Sequence, residues 1–224
     1  GFQGKAVRVG SARSDILFDK TVRTKVLEGY GLNRDARICL YVPTYRLDEL
    51  ERTQSMSILL DMQALLEVLE SKWTGEWFLF VRLHPSLNLR NDILPAERHI
   101  INVQSYSCSE ELVAASDIMI TDYSSIMFEE AYKMAPVFLY APDREEFIDG
   151  ERNLLLDYDS LPFPIAQSNE ELHQIIREFD KKEYEINLTA FLENYDVHED
   201  GHAGERAAEF IRELLDGSAE EREL

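Results

Sequence analysis

Asp117-Ile-Met-Ile-Thr121-Asp-Tyr-Ser-Ser125, continued by Ile126-Met-Phe-Glu-Glu-Ala-Tyr-Lys-Met134, is the stretch from which the fold can be read. Residues 117–120 form a short apolar run of strand character, and 126–134 carry helical spacing. Between them a polar turn offers Thr121, Asp122, Ser124 and Ser125. Ser or Asp at such a place can cap the following helix. A helix start also presents free N–H groups and a partial positive charge, which suit phosphate. The stretch therefore predicts a strand, a turn and a helix with an anion site at the strand's carboxyl end.

The pattern repeats on both sides. Buried-strand runs occur at 37–42, 76–83, 99–103 and 136–140, and helical spacing at 55–72, 109–115, 169–179 and 204–215. Strands alternating with helices imply a parallel sheet covered on both faces. The fold class expected is α/β, a doubly wound parallel sheet of Rossmann-like kind. Residues 1–36 hold seven Lys/Arg and four Asp/Glu, a local charge of +3, against 16 basic and 39 acidic groups (−23) in the rest. This opening segment reads as an interdomain linker with one helix over 19–30, closed by Gly31. Residues 37–215 read as the Rossmann-like domain itself, and 216–224 as an acidic tail that frays.

Composition excludes several roles. A net charge of −20 over 224 residues disfavours nucleic acid and anionic lipid as direct partners. No run of 18 apolar residues offers a membrane span. Cys39 in an apolar run and Cys108 in a polar one, without metal-like spacing, predict free thiols in a reducing, cytoplasmic setting. The first residue is not Met, so it is taken as a boundary rather than a natural start.

Polar residues gather just past the strand runs: Thr44, Tyr45 and Arg46; His84; Thr121 to Ser125; Asp143 and Arg144. Open α/β sheets bind ligands at that edge. Each alone has a plainer explanation. The serines can be simple caps, His84-Pro85 an exposed turn, and Arg46 a surface cation paired with Asp48 or Glu49. Four clusters on one sheet edge point jointly to a nucleotide or phosphate site.

Tyr41-Val-Pro-Thr-Tyr-Arg46, Arg82-Leu-His-Pro85, the Thr121-Asp-Tyr-Ser-Ser125 element, Pro136-Val-Phe-Leu-Tyr-Ala-Pro-Asp143 and Asp200-Gly-His-Ala-Gly-Glu-Arg206 resemble, in order and spacing, motifs of the CDP-glycerol glycerophosphotransferases. These are the teichoic acid polymerases and primases, and the resemblance covers about residues 10–212. It implies a GT-B architecture of two facing Rossmann-like domains, with this chain as the C-terminal, donor-binding half. Two departures stand out. Gly10-Ser-Ala-Arg13-Ser-Asp15 lacks the proline of the family's Gly-x-Pro-Arg-x-Asp pattern, and Gly204 stands where the family has Ser. The family's N-terminal half supplies the acceptor surface, the membrane attachment and a histidine base. The chain alone is therefore expected to bind donor without turnover, and the full-length protein to sit at the inner face of the membrane.

The resemblance implies a CDP-glycerol or CDP-ribitol donor, attack by an acceptor hydroxyl on the distal phosphorus, and CMP as leaving group. Such a transfer needs alignment and charge stabilisation more than covalent help. Ser124, Ser125 and the helix start are expected at the diphosphate, with Thr44 and Thr121 beside them. His84 is expected to donate to phosphate or to offset charge on CMP. Arg46 and Arg206 are the candidate cations. Asp122 is expected in a structural hydrogen bond, and Glu129 either at the ribose hydroxyls or facing solvent. Neither a cofactor nor a metal is expected. Asp157-Tyr-Asp159 reads as a turn, and Asp200-Gly201 between His198 and His202 argues against a zinc pair. The competing readings are a GT-B enzyme using a nucleotide sugar and a non-catalytic interaction domain.

Overall fold

The computed structural model describes residues 7–44, 60–83, 97–150 and 156–216. Six strands form one all-parallel sheet: β1 (Arg37–Val42), β2 (Trp77–Val81), β3 (Ile100–Asn102), β4 (Ile118–Thr121), β5 (Val137–Tyr140) and β6 (Ile165–Ala166), in the order β3-β2-β1-β4-β5-β6. β1 lies between β2 and β4, with Cys39 opposite Leu79 on one side and Ile118 on the other. The order therefore reverses between β1 and β4, the topological switch point of a doubly wound sheet.

Alternation along the strands divides the core in two. Ile38, Leu40, Phe78, Phe80, Met119 and Leu139 face one layer, where they meet α1 (Lys20–Gly29), α3 (Ser109–Ala115) and α4 (Ile126–Tyr132). Cys39, Tyr41, Leu79, Val81, Ile120 and Phe138 face the other, against α2 (Met62–Lys72) and α6 (Asn169–Glu178). Both faces are apolar because both are covered, as expected for parallel strands. Burial of the Cys39 thiol pushes its pKa far up, so in the native state it is an inert core side chain.

Several boundaries differ from the sequence expectation. The helix expected over 55–72 begins at Met62, because the Asp61 carboxylate caps it by accepting from the Ala64 N–H at 3.0 Å. Residues 55–59 lie outside the described residues. The helix expected to reach 134 ends at Tyr132, since Met134 takes a left-handed φ of 58°. The periodicity did not reveal α5 (Arg144–Gly150), α7 (Lys181–Asn194) or the two-residue β6.

The basic opening segment is part of this unit. A 3-10 helix over Ala12–Phe18 and α1 follow one another, and Leu17, Val22, Val26, Leu27 and Ala36 are buried in the first core layer. The helix expected over 19–30 forms over Lys20–Gly29, and Gly31 follows with φ 66°. Asp15 accepts from the N–H groups of Ala203 and Gly204 at 2.8 and 2.7 Å, capping α8 (Ala203–Leu215). Ser11 N–H donates to Glu199, and the Arg206 Nε to the Val9 carbonyl at 3.0 Å. These contacts clasp residues 9–15 to 199–206. Residues 217–224 of the acidic tail lie outside the described residues. Among the described residues no helix is long and apolar enough to cross a membrane.

Candidate functional site

Two loops leave the sheet on either side of the switch point: Pro43 and Thr44 after β1, and Asp122 to Ser125 after β4. Asp122 is buried and holds them together. Its carboxylate accepts from the Thr44 N–H at 2.9 and 3.0 Å, from the Thr44 hydroxyl at 2.6 Å and from the Tyr123 N–H at 2.6 Å. The structural role expected of Asp122 is the one it plays. Thr121, fully buried, donates its hydroxyl to the Val42 carbonyl at 2.6 Å and so belongs to the same scaffold.

Aromatic packing fixes the turn from behind. The Tyr123 ring stacks on Phe147 with centroids 3.8 Å apart, and its hydroxyl donates to Asp143 at 3.1 Å. Tyr158 donates to the Asp122 carbonyl at 3.0 Å. Tyr158 sits in a 3-10 turn (Tyr158–Ser160) capped by Asp157, so Asp157-Tyr-Asp159 is the turn its residues suggested. Arg144 pairs with Asp159 on the outer side of this turn.

The two serines remain. Ser124 Oγ lies 3.5 Å from the Ile126 N–H, too long for a strong bond. Ser125 occupies the N-cap of α4, is exposed, and makes no side-chain capping bond among the described residues. The simple-cap explanation therefore fails for Ser125. A cleft of about 250 Å³ lies beside it, bounded by Phe128, Tyr158 and Leu161.

Glu129 lies four residues on from Ser125. It does not face solvent freely: its Oε1 is 2.9 Å from the Arg13 Nη2, and only 15% of its side chain is exposed. Arg13 also pairs through Nε with Glu110 of α3. The second oxygen, Oε2, is buried and has no hydrogen-bond partner among the described residues. An unsatisfied buried acceptor costs about 1–3 kcal/mol. Burial raises the Glu129 carboxyl above its ordinary pKa, with Arg13 opposing the rise and Glu110 adding to it.

Arg206 belongs elsewhere. Its Nη1 holds both oxygens of Asp200 at 2.8 and 2.7 Å, and its Nε the Val9 carbonyl, beside a cleft of about 520 Å³ that Tyr132 and Glu199 also line. The assignment of Arg206 as a phosphate cation meets a guanidinium already engaged by a carboxylate. In the same region His198 pairs with Asp196 and His202 with Glu205, each at 3.1 Å, and Gly201 turns the chain with φ 84°. A Cβ at Gly204 would stand 2.9 Å from Asp15 Oδ2, so the glycine lets the start of α8 close on its cap.

The fold thus brings Thr44, Ser124 and Ser125 to the loops at the switch point, keeps Thr121 buried beneath them with its hydroxyl given to Val42 rather than to a ligand, places Glu129 a turn along α4, and holds Arg206 in the clasp with Asp200. Arg46 and His84 lie outside the described residues. Arg13 was missed as a site residue, although it stands inside the Gly10-to-Asp15 motif, because an isolated Arg gives no sign of the two carboxylates that other helices bring to it.

A doubly wound parallel sheet whose polar loops meet at the switch point defines a Rossmann-like α/β domain of the kind found in GT-B-like folds. The family model described as CDP-Glycerol:Poly(glycerophosphate) glycerophosphotransferase matches residues 2–213, and the chain belongs to that family. A teichoic acid poly(glycerol phosphate) polymerase of Bacillus spizizenii is 27% identical over 214 residues, covering 93% of this chain and 53% of the relative. A teichoic acid ribitol-phosphate primase of the same organism is 29% identical, covering 95% of this chain and 54% of the relative. Among solved structures, a variant of the wall teichoic acid polymerase TagF superposes with a TM-score of 0.78 at 24% identity, over 96% of this chain and 53% of that one. Another TagF structure, obtained after a soak with CDPG, gives 0.76 at 24% identity, over 96% of this chain and 53% of that one. The chain thus spans about half the length of these relatives.

Proposed function

We propose that this chain binds the activated donor in a glycerophosphotransferase that moves a polyol phosphate from a CDP-polyol to a hydroxyl acceptor, releasing CMP, in teichoic acid or related wall-polymer synthesis. Membership of the family supports the reaction class. The observation that carries the site is Ser125: an exposed hydroxyl at the switch point, unused in capping, on a turn held rigid from behind. The family's wall-polymer relatives include both glycerol- and ribitol-phosphate enzymes, so the donor is named as a class.

In this reading the Ser124 and Ser125 hydroxyls and the N–H groups of the turn hold the diphosphate, and Asp122 keeps the loops of β1 and β4 at a fixed separation. Preorganised donors of this kind stabilise charge without reorganising during the reaction. His84 and Arg46 follow the β2 and β1 runs, and are proposed to offset charge on the leaving CMP. Acceptor binding and membrane attachment are assigned to parts of the protein beyond this domain.

Calorimetric titration with CDP-glycerol, CDP and UDP tests the proposal. Saturable binding of the CDP compounds, weakened in Ser125→Ala and much poorer for UDP, is the expected result. Binding of UDP alone would move the assignment to a sugar-nucleotide enzyme. In the full-length enzyme, His84→Ala should lower turnover more than donor affinity, whereas equal losses would make His84 a binding residue only.

A further inference from the structure

A groove of about 630 Å³ lies between α7 and the segment 160–164 that leads into β6, with the end of α6 also lining it. Its walls are held in place. Tyr184 of α7 donates to the Ala135 carbonyl at 2.9 Å and accepts from the Val137 N–H at 3.2 Å, which pins the helix to the start of β5. Lys72 Nζ donates to the Arg177 and Phe179 carbonyls at 2.8 and 2.9 Å, which fixes the end of α6. Ile175, Phe179 and Phe191 line the groove and are only half-buried, so apolar surface is left open within it.

The charge of the lining has one sign. Glu178, Asp180 and Glu183 border the groove, and no Lys or Arg does. Asp180 caps α7 by accepting from the Lys182 and Glu183 N–H groups. Glu178 accepts one bond, from Gln174 Nε2 at 3.1 Å, on a carboxylate with room for about four. Glu178 and Glu183 are exposed and have no cationic partner among the described residues, and the neighbouring Lys181 pairs with Glu185 instead.

We propose that this groove docks a basic peptide segment of a partner protein. Lys or Arg side chains of the segment meet Glu178 and Glu183, and an apolar side chain packs against Phe179 and Phe191. The wall from Asp180 to Phe191 runs about 16 Å, which matches about five residues of extended peptide. Pro162 and Pro164 on the facing wall offer no N–H, so recognition rests on side chains rather than on a strand added beside β6. The chain's net charge of −20 attracts such a segment at long range. A phosphate-bearing ligand is repelled by the same carboxylates. The groove is therefore no extension of the serine turn, although Leu161 borders both it and the cleft beside Ser125.

Panning a phage library of random dodecapeptides against the chain tests the proposal. The enriched sequences should combine Lys or Arg with aromatic or aliphatic residues. By fluorescence anisotropy, Glu178→Lys with Glu183→Lys should weaken the best of these peptides at least about tenfold. Glu70→Lys with Glu209→Lys, which makes the same change in net charge at exposed positions on α2 and α8, should weaken it less than about twofold. Asn187→Lys, exposed in the same lining, carries the comparison should the groove variant fail to fold. Equal losses in the groove and control variants would reduce the binding to net charge and overturn the proposal. Enrichment of peptides without basic residues, or of none, overturns it as well. So does binding that this chain shows and the full-length protein lacks, since the groove would then be covered by the rest of that protein.

Discussion

Thr44 and Asp122, 78 positions apart, are joined by three hydrogen bonds across the point where the sheet order reverses. The Thr44 backbone and hydroxyl both donate to the buried carboxylate, so the crevice between β1 and β4 has a fixed width. Asp122→Ala would leave two backbone N–H groups without their acceptor. It should cost about 2–4 kcal/mol in urea unfolding, and Asp122→Asn, which keeps one acceptor oxygen, should cost less. Unchanged stability would show that the loops are held by other contacts.

Ser125→Ala separates ligand binding from capping. Since the hydroxyl makes no capping bond, the substitution should shift stability by no more than about 0.5 kcal/mol. The same change should weaken CDP binding by about 1–2 kcal/mol. A destabilised protein with unchanged affinity would restore the cap explanation.

Asp15 closes the start of α8 from near the opposite end of the chain. Asp15→Ala should destabilise the fold by about 1–2 kcal/mol, the range for a lost N-cap. Hydrogen exchange at the Ala203 and Gly204 amides is the direct readout, and it should accelerate in the variant.

Glu130 supplies a pH dependence. It is fully buried, accepts from Ser116 Oγ at 2.7 Å and Lys133 Nζ at 3.1 Å, and burial raises its pKa above the ordinary 4.5 in spite of Lys133. The folded chain therefore keeps the proton at pH values where the unfolded chain has released it. The stability tied to that proton is present below 4.5 and is lost as pH rises through the folded pKa. Glu130→Gln cannot ionise, so its stability relative to the parent chain should improve as pH rises above about 4.5, until the folded parent chain releases its proton. A difference independent of pH would mean that Glu130 is charged in the native state.

The sheet was legible because parallel strands with both faces covered leave nearly unbroken apolar runs, as in Arg37-Ile-Cys-Leu-Tyr-Val42 and Trp77-Phe-Leu-Phe-Val81. α7 was not, since only Tyr184 and Leu188 are fully buried along its 14 residues and charged side chains dilute the period. Its one strong local sign was Asp180, whose carboxylate accepts from the Lys182 and Glu183 N–H groups. β6 is two residues long and gains its identity only by pairing with β5. In the site, Ser124, Ser125 and Asp122 could be read from one local turn. The Arg13–Glu129 pair joins residues distant in the chain, and local spacing carries no record of it.

The clasp between residues 9–15 and 199–206 bears on the order in which the molecule assembles. Its hydrogen bonds close loops of 188 to 197 positions, and closure entropy grows with loop length. Contacts so distant form late, after the sheet has brought their neighbours together. α8 buries only Ala203 fully, so its docking depends on a segment synthesised almost two hundred residues earlier. During synthesis the first strands can pair as they emerge, whereas α8 and the opening segment wait for each other until nearly the whole domain has been made.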